Sequence, residues 1–263
     1  MTTQNQPRKP LDILITNDDG ILAPGLAALI RAAEHLGNLH VVAPETAQSA
    51  AAHSITLTEP LISQHVELPG GIGGFSISGR PADCVKLAMT ELLPTRPDLV
   101  ISGINAGANV GVNVLYSGTV AAALEAAFFN VPGIAISLDI RGKIDFKYAE
   151  QVAREALDQL VHQSVLTPGR VLNVNIPIPE IGPPKGMRVV RQSTRAWADR
   201  FQRRTDPRGR VYFWLDADVN EDEALQEETD EHAINEGYIT VTPLNRDLTD
   251  LSDLRNVREL LGG

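Results

Sequence analysis

Short apolar runs at residues 11–16, 39–43, 99–102, 134–138 and 171–176 are separated by stretches 25–36, 82–93, 119–129 and 148–162 whose apolar residues fall at helical spacing. A run of four to six apolar residues has strand length, and a strand that is apolar throughout must be covered on both faces. Strand and helix in alternation therefore predict an α/β fold, with a Rossmann-like, mostly parallel sheet flanked by helices. Residues 55–77 break the pattern with alternating side chains around Pro69-Gly70-Gly71 and are read as a hairpin excursion.

In such a sheet every parallel strand delivers its C-terminal loop to one edge, where ligands bind. The first strand runs straight into Asn17-Asp18-Asp19-Gly20. Asp-Asp-Gly alone is an ordinary turn, but adjacent carboxylates repel unless a positive charge sits between them or water surrounds them. The second strand leads to Ser49 and His53-Ser54-Ile55-Thr56, and a later one ends in Ser102-Gly103-Ile104-Asn105. Asp18, Asp19, Ser49 and Asn105 thus bring carboxylate, hydroxyl and amide oxygens to one edge. An all-oxygen set of this kind suits Mg2+ or Mn2+, whereas zinc would ask for His or Cys donors that are missing at metal-ligand spacing. Ser49 or Asn105 taken singly reads as plain loop chemistry.

Gly103, Gly107 and Gly111 recur at four-residue spacing, and the loop continues into Ser117-Gly118-Thr119 at the start of an alanine-rich helix. Small residues there expose backbone N–H groups, which together with the helix dipole favour a phosphate. The segment is not a P-loop, since the lysine is missing, nor a dinucleotide fingerprint, since the glycine spacing differs. Ser117 also reads as an N-cap, a role compatible with phosphate binding.

A chain of 263 residues with net charge -10 carries no general field for nucleic acid, so a phosphorylated ligand must be drawn by a local cation. The single cysteine, Cys84, excludes an internal disulfide and sits in an apolar helical pattern, which assigns it to packing. No run reaches membrane-span length, and residues 1–10 carry Arg8 and Lys9 without an apolar segment behind them. They read as a disordered leader, not a signal peptide, and the protein as cytoplasmic.

The last third changes character. Residues 185–210 hold nine basic and two acidic side chains, while 216–231 hold nine acidic and no basic ones, interleaved with Trp197, Phe201, Tyr212, Phe213 and Trp214. Aromatic side chains in such number mark an ordered packing surface, read as an extended β-hairpin docking on a neighbouring subunit in preference to a nucleic-acid strip. The expected organisation is a core at 11–184, an oligomerisation arm at 185–245 that returns to the core, and a C-terminal helix at 246–263.

Several ordered motifs carry a family resemblance: Asn17-Asp18-Asp19-Gly20, Ser49 with His53-Ser54-Ile55-Thr56, Gly79-Arg80-Pro81-Ala82-Asp83-Cys84-Val85, Ser102-Gly103-Ile104-Asn105, and Ser117-Gly118-Thr119-Val120. Farther on, Arg191-Gln192-Ser193 and Gly237-Tyr238-Ile239-Thr240-Val241-Thr242-Pro243 continue it. The chain resembles the SurE survival-protein family of metal-dependent nucleotidases. That resemblance implies one divalent cation per subunit, Mn2+ or Mg2+, held by Asp18, Asp19, Ser49 and Asn105. It implies hydrolysis of nucleoside 5'- and 3'-monophosphates, with activity on short polyphosphate. It also implies a homodimer formed by an exchanged C-terminal arm, and a tetramer where such dimers pair. Three residues depart from the family pattern: Gln48 stands where arginine or asparagine is common, Ala108 where proline is usual, and Arg80 where threonine is frequent. The second of these is expected to loosen the glycine-rich loop.

The chemistry this implies is direct attack by metal-activated water on a phosphoryl group, with Asp18 and Asp19 as the catalytic carboxylates. Substrate contacts are expected at Asn17, His53, Gly107, Asn109, Ser117, Gly118 and Thr119, with His53 either an acid or base or a hydrogen-bonding support. Two other readings compete. An aspartyl-phosphate phosphatase would use Asp18 or Asp19 as nucleophile, although such enzymes usually place the second carboxylate two positions on. A non-catalytic nucleotide-sensing module would use the same pocket without turnover.

Overall fold

The apolar runs form strands because each can bury both faces. The computed structural model describes residues 10–163, 165–195, 198–218 and 225–262. Strands β1 (Leu11–Thr16), β2 (Gly37–Pro44), β3 (Ser63–Leu68), β4 (Ile72–Ile77), β5 (Leu99–Ala106), β6 (Gly133–Leu138), β7 (Val171–Ile176) and β8 (Met187–Val189) precede an antiparallel pair, β9 (Ala198–Thr205) and β10 (Val211–Asp218), and a final strand, β11 (Ile239–Leu244). All but β9 and β10 build one nine-stranded sheet in the order β3-β4-β2-β1-β5-β6-β7-β11-β8. From β4 to β7 the neighbours run parallel. After β1 the chain builds outward through β2 to β4, then crosses back to β5 and continues outward through β6 and β7. The order therefore reverses between β1 and β5, and the loops after these two strands carry the Asp18-Asp19 pair and Asn105. Open α/β sheets bind ligands at such a crevice.

The strand period of two sorts side chains between two helical layers. Ile13 and Ile15 of β1, with Leu99 and Ile101 of β5, point to one face, where Leu26, Leu29 and Ile30 of α1 (Pro24–Ala33) meet Val152 and Leu157 of α5 (Phe146–His162). Leu14 and Val100 point to the other face, against Cys84 and Val85 of α2 (Pro81–Leu87) and Ala122 and Ala126 of α4 (Gly118–Phe128). Each fully buried Leu or Ile contributes about 1.5–3 kcal/mol of transfer free energy, so register is strongly fixed. Helix α1 starts on Pro24 at its first turn. Its Gly25 is obligatory, because a Cβ there would lie 2.0 Å from the Ile104 carbonyl oxygen at the end of β5. Asp145 caps α5 by accepting the Lys147 and Tyr148 amides at 3.0 Å each. Further short α-helices among the described residues are α3 (Asn113–Tyr116), α6 (Asp230–Asn235) and α7 (Leu254–Leu260).

Several boundaries differ from those read in the sequence. The segment 82–93 is α-helical to Leu87 and then widens to a π-helical turn over Ala88–Leu92. The hairpin at 55–77 is no separate excursion: β4 pairs in parallel with β2 and extends the main sheet, a non-local pairing that leaves no local periodicity. The span 185–245 divides, since β8 and β11 join the main sheet, where Ile239 and Val241 reach the core, while the β9–β10 hairpin forms a separate two-stranded sheet. Of 246–263, α7 occupies Leu254–Leu260. The leader before Pro10 and Trp197 lie outside the described residues. Among the described residues no helix is long and apolar enough to cross a membrane.

Candidate active site

Three loops and a helix start are tied together at the β1/β5 crevice. The β1 loop is braced by Asn17, whose Nδ2 donates to the Gly20 carbonyl at 2.9 Å while its Oδ1 accepts the Gly20 amide at 3.2 Å. Its amide is thus committed to loop shape. The following backbone is locked to the β2 loop, because the Gln48 N–H donates to the Asp18 carbonyl at 2.7 Å, and this brings exposed Ser49 to the same edge. Ala50 and Ala52 both adopt left-handed backbone, with φ of 54° and 52°, an unfavourable conformation for residues bearing a Cβ. The Ala52 N–H holds it there by donating to the Tyr116 carbonyl, 3.0 Å away, directly before Ser117.

Helix α4 carries the other side. The Ser117 side chain caps it by accepting the Val120 amide at 3.1 Å, which leaves the hydroxyl proton for another acceptor. Thr119, fully buried, donates its hydroxyl to Asp18 Oδ1 at 2.5 Å. Gly118 lets helix and loop approach: a Cβ at that position would lie 2.9 Å from the Asp18 Cβ and 3.1 Å from its Oδ2. The cation and phosphate subsites expected from the sequence are therefore joined through Thr119.

The electrostatics of the carboxylate pair are unusual. Asp18 is 6% exposed, and burial, reinforced by the Asp19 charge and only partly offset by the Thr119 hydroxyl, raises its pKa from 3.8 to about 6. Burial also raises that of Asp19, against the Ala106 amide that approaches its Oδ2 at 3.5 Å. No Lys, Arg or His among the described residues forms an ion pair with either. A buried and a half-buried carboxylate side by side without a countercharge fit a bound cation. Asn105 adds to the fit: its Nδ2 donates to the Gly107 carbonyl at 2.7 Å, which turns Oδ1 the other way. No group of three or more His, Cys, Asp or Glu side chains gathers among the described residues, so a cation here depends on two carboxylates with neutral oxygens.

The glycine-rich loop is anchored in spite of Ala108. The Gly107 N–H donates to Leu138 O at 2.9 Å, and Asn109 is buried in a cluster of amides: its N–H donates to Asn175 Oδ1, its Nδ2 to Ser137 Oγ, and its carbonyl accepts from Asn173. These bonds commit the Gly107 amide and the Asn109 Nδ2 to loop shape. At the far end Asp230 accepts the Gly111 and Ser193 amides at 3.0 and 2.8 Å, and Gln192 donates to the Gly111 carbonyl at 2.8 Å.

His53 stands beside the second half of α4, its Nε2 2.8 Å from Glu125 Oε2. Lys86 Nζ lies 3.0 Å from the other oxygen of Glu125. Burial alone would raise the Glu125 pKa, but the bonds to His53 and Lys86 outweigh it and the carboxyl is held below its usual range. Arg80 donates to Ser54 Oγ, and Asp83 accepts the amides of Thr56 and Arg80 at 3.0 Å each, so both ends of the 53–56 segment are clamped. The sequence reading singled out neither Glu125 nor Lys86. The signal was present as one carboxylate inside the otherwise apolar helix Gly118–Phe128. Cys84 is buried beneath this region, and burial with the neighbouring Asp83 charge pushes its thiol pKa up, as for a packing residue. A cavity of about 1000 Å³ opens between α4 and the residues following β8 and β11; Ser117, His53, Leu124, Phe128, Gln192 and Arg246 are among its lining, and the aspartates are not.

With this geometry in view, comparison with known proteins identifies the lineage. The profile of the family described as Survival protein SurE matches residues 13–199. The chain belongs to the SurE family. It is 44% identical over 252 residues to the 5'-nucleotidase SurE of Heliobacterium modesticaldum, covering 95% of this chain and 92% of that one. To the 5'-nucleotidase SurE of Chloroflexus aggregans it is 46% identical over 249 residues, covering 94% and 97%. The crystal structure of the SurE protein from Aquifex aeolicus superimposes with a TM-score of 0.81 at 37% identity, covering 95% of this chain and 99% of that one. The SurE match extends over the β1, β2 and β5 loops and the start of α4, so the residues that make the crevice lie within it.

Proposed function

We propose that this chain is a 5'-nucleotidase that hydrolyses nucleoside 5'- and 3'-monophosphates to nucleoside and phosphate. The observation that carries the reading is the docking of the α4 N-terminus on a carboxylate pair withdrawn from water at the sheet's switch point, through the Thr119–Asp18 bond. Asp18, Asp19, Ser49 and Asn105 would hold one divalent cation, Mn2+ or Mg2+, which when bound lowers the pKa of water and draws charge from phosphoryl oxygens. The first-turn N–H groups of α4 and the Ser117 hydroxyl orient the remaining phosphoryl oxygens, and their dipoles oppose charge that grows in the transition state. Asp19, less buried than Asp18 and free of the Thr119 bond, is the carboxylate placed to orient the attacking water and accept its proton.

The β9–β10 hairpin supports a homodimer. Among the described residues its strands pair only with each other, and Phe201, Phe213 and Trp214 are each more than half exposed, whereas an isolated two-stranded hairpin is marginal in water. A second subunit would bury that surface.

Release of inorganic phosphate from AMP or GMP in the presence of Mn2+ tests the function. Turnover should be lost on chelation, restored by Mn2+ and abolished in Asp19→Asn. Binding without turnover would mean a sensing module, and a phosphoenzyme trapped on either aspartate would mean a covalent route.

A further inference from the structure

Glu125 presents a problem that packing alone does not solve. It sits two turns into α4, its side chain 5% exposed, on a helix otherwise built from Ala, Val, Leu and Phe after its first turn. Burying a carboxylate costs several kcal/mol unless it is paired, and an alanine would pack there at no such cost. The pairing divides between two unlike partners. Lys86, half-exposed on α2, supplies the countercharge through Oε1, so Oε2 is left to engage His53 without requiring that ring to be charged.

The His53 ring is held on several sides. Its Nε2 meets Glu125 at 2.8 Å, and its ring centroid lies 6.0 Å from that of Phe128 with the planes tilted by 45°. Its backbone neighbours are fixed by the Ala52–Tyr116 bond and by Arg80 on Ser54. With Nε2 committed to a carboxylate, the proton of the neutral ring belongs on Nε2, and Nδ1 is the nitrogen left to exchange a proton. The ring lines the same cavity as Ser117, the residue that opens the phosphate-binding helix, and is one-third exposed there, so it can regain a proton from water.

We propose that His53 is the general acid for the leaving nucleoside and that Glu125, anchored by Lys86, is the residue that positions it. The proposal rests on the nucleotidase reading. In the step it describes, the oxygen of water bonds to phosphorus while the bond from phosphorus to the ribose oxygen breaks. The electron pair of the broken bond leaves on that ribose oxygen, which takes the Nδ1 proton of His53. The proton shed by the water passes to the carboxylate side of the site, and solvent reprotonates His53. A ribose alkoxide is a poor leaving group and needs that proton, whereas p-nitrophenolate leaves without it.

The test compares AMP with p-nitrophenyl phosphate on Mn2+-loaded wild-type, Glu125→Gln and His53→Asn proteins. General acid catalysis is worth about 100-fold or more, so kcat for AMP should fall by about that factor in both variants, with KM changed by no more than about threefold. Turnover of p-nitrophenyl phosphate should fall by less than about threefold, and the double variant should lose no more on AMP than either single one, because the two residues act as a unit. Equal losses on both substrates, or undiminished AMP turnover, would overturn the proposal. His53→Asn keeps the test decisive should Glu125→Gln fold poorly, since His53 lies on a partly exposed loop. Wild-type protein that released no phosphate from AMP would instead overturn the nucleotidase reading itself.

Discussion

In the absence of cation, Asp18→Asn should stabilise this protein while destroying its activity. The folded protein holds the Asp18 proton to about pH 6, whereas the unfolded chain releases it near 3.8. A carboxylate with a raised folded pKa favours the folded state only while protonated, so stability present below about pH 4 is lost as pH rises through about 6. At about 1.4 kcal/mol for each tenfold change in proton affinity, the interval from 3.8 to about 6 costs the metal-free protein about 3 kcal/mol at neutral pH. Asparagine carries no charge to desolvate and can still accept the Thr119 hydroxyl, so most of that cost should disappear. For a chain of this size the gain corresponds to a rise in melting temperature on the order of 5–10 °C. The assay is differential scanning calorimetry in chelator at pH 7.5 and at pH 4. The variant should melt higher at pH 7.5, and the difference should close at pH 4. Mn2+ at 1,000 times its dissociation constant should return about 4.1 kcal/mol to the wild type and little to the variant, reversing their order. If the variant melted no higher than wild type in chelator at pH 7.5, or if its advantage were the same at pH 4, desolvation of Asp18 would be the wrong account.

Thr119→Val removes a hydroxyl that favours the ionised form of Asp18, so kcat/KM should fall about 10- to 100-fold and Mn2+ affinity should fall with it, measured by kinetics and calorimetry. Ser117→Ala should cost about 1 kcal/mol of stability through the lost cap and weaken phosphate binding, yet leave Mn2+ titration nearly unchanged, because Ser117 touches no carboxylate. Gly118→Ala should lower both activity and Mn2+ affinity at least tenfold, since its Cβ would press on Asp18, and the gain in helix propensity of about 1 kcal/mol does not offset that displacement. The intact protein should sediment as a dimer at micromolar concentration, and replacing residues 198–218 by a short linker should give monomer or aggregate. A monomeric intact chain would refute the docking role of the hairpin.

The sequence was most legible where local pattern and tertiary fate agree. Leu11–Thr16 carries Leu11, Ile13 and Ile15 on one face and Leu14 on the other and became a central strand, and the loop it feeds carries the aspartates because parallel strands deliver their C-terminal loops to one edge. Legibility failed where the deciding contact is distant. Nothing local to Ile72–Ile77 announces its pairing with β2, and nothing local to Asn109 announces the amides of Asn173 and Asn175, contributed by β7 more than sixty residues on. Likewise the sequence placed Thr119 with phosphate alone, because its reach to Asp18 depends on how closely Gly118 lets α4 approach the β1 loop.

Three buried or half-buried carboxylates lie on α4 or in the β1 loop against it, and the protein treats them differently. Glu125 receives a lysine and a histidine, and its pKa falls below the ordinary range despite burial. Asp18 and Asp19 receive hydroxyl and amide donors only, and both rise. The fold can evidently deliver a cationic side chain to this helix, since Lys86 reaches Glu125 from α2, the helix whose first residue, Pro81, lies against Gly118. Among the described residues none pairs with the aspartates, which suits a countercharge supplied from outside the chain. A side-chain ammonium in that position would cancel the charge, but it would also occupy the coordination that water and a phosphoryl oxygen need in order to meet. On the proposed reading, the cost of the metal-free pair and its use in catalysis would have one cause.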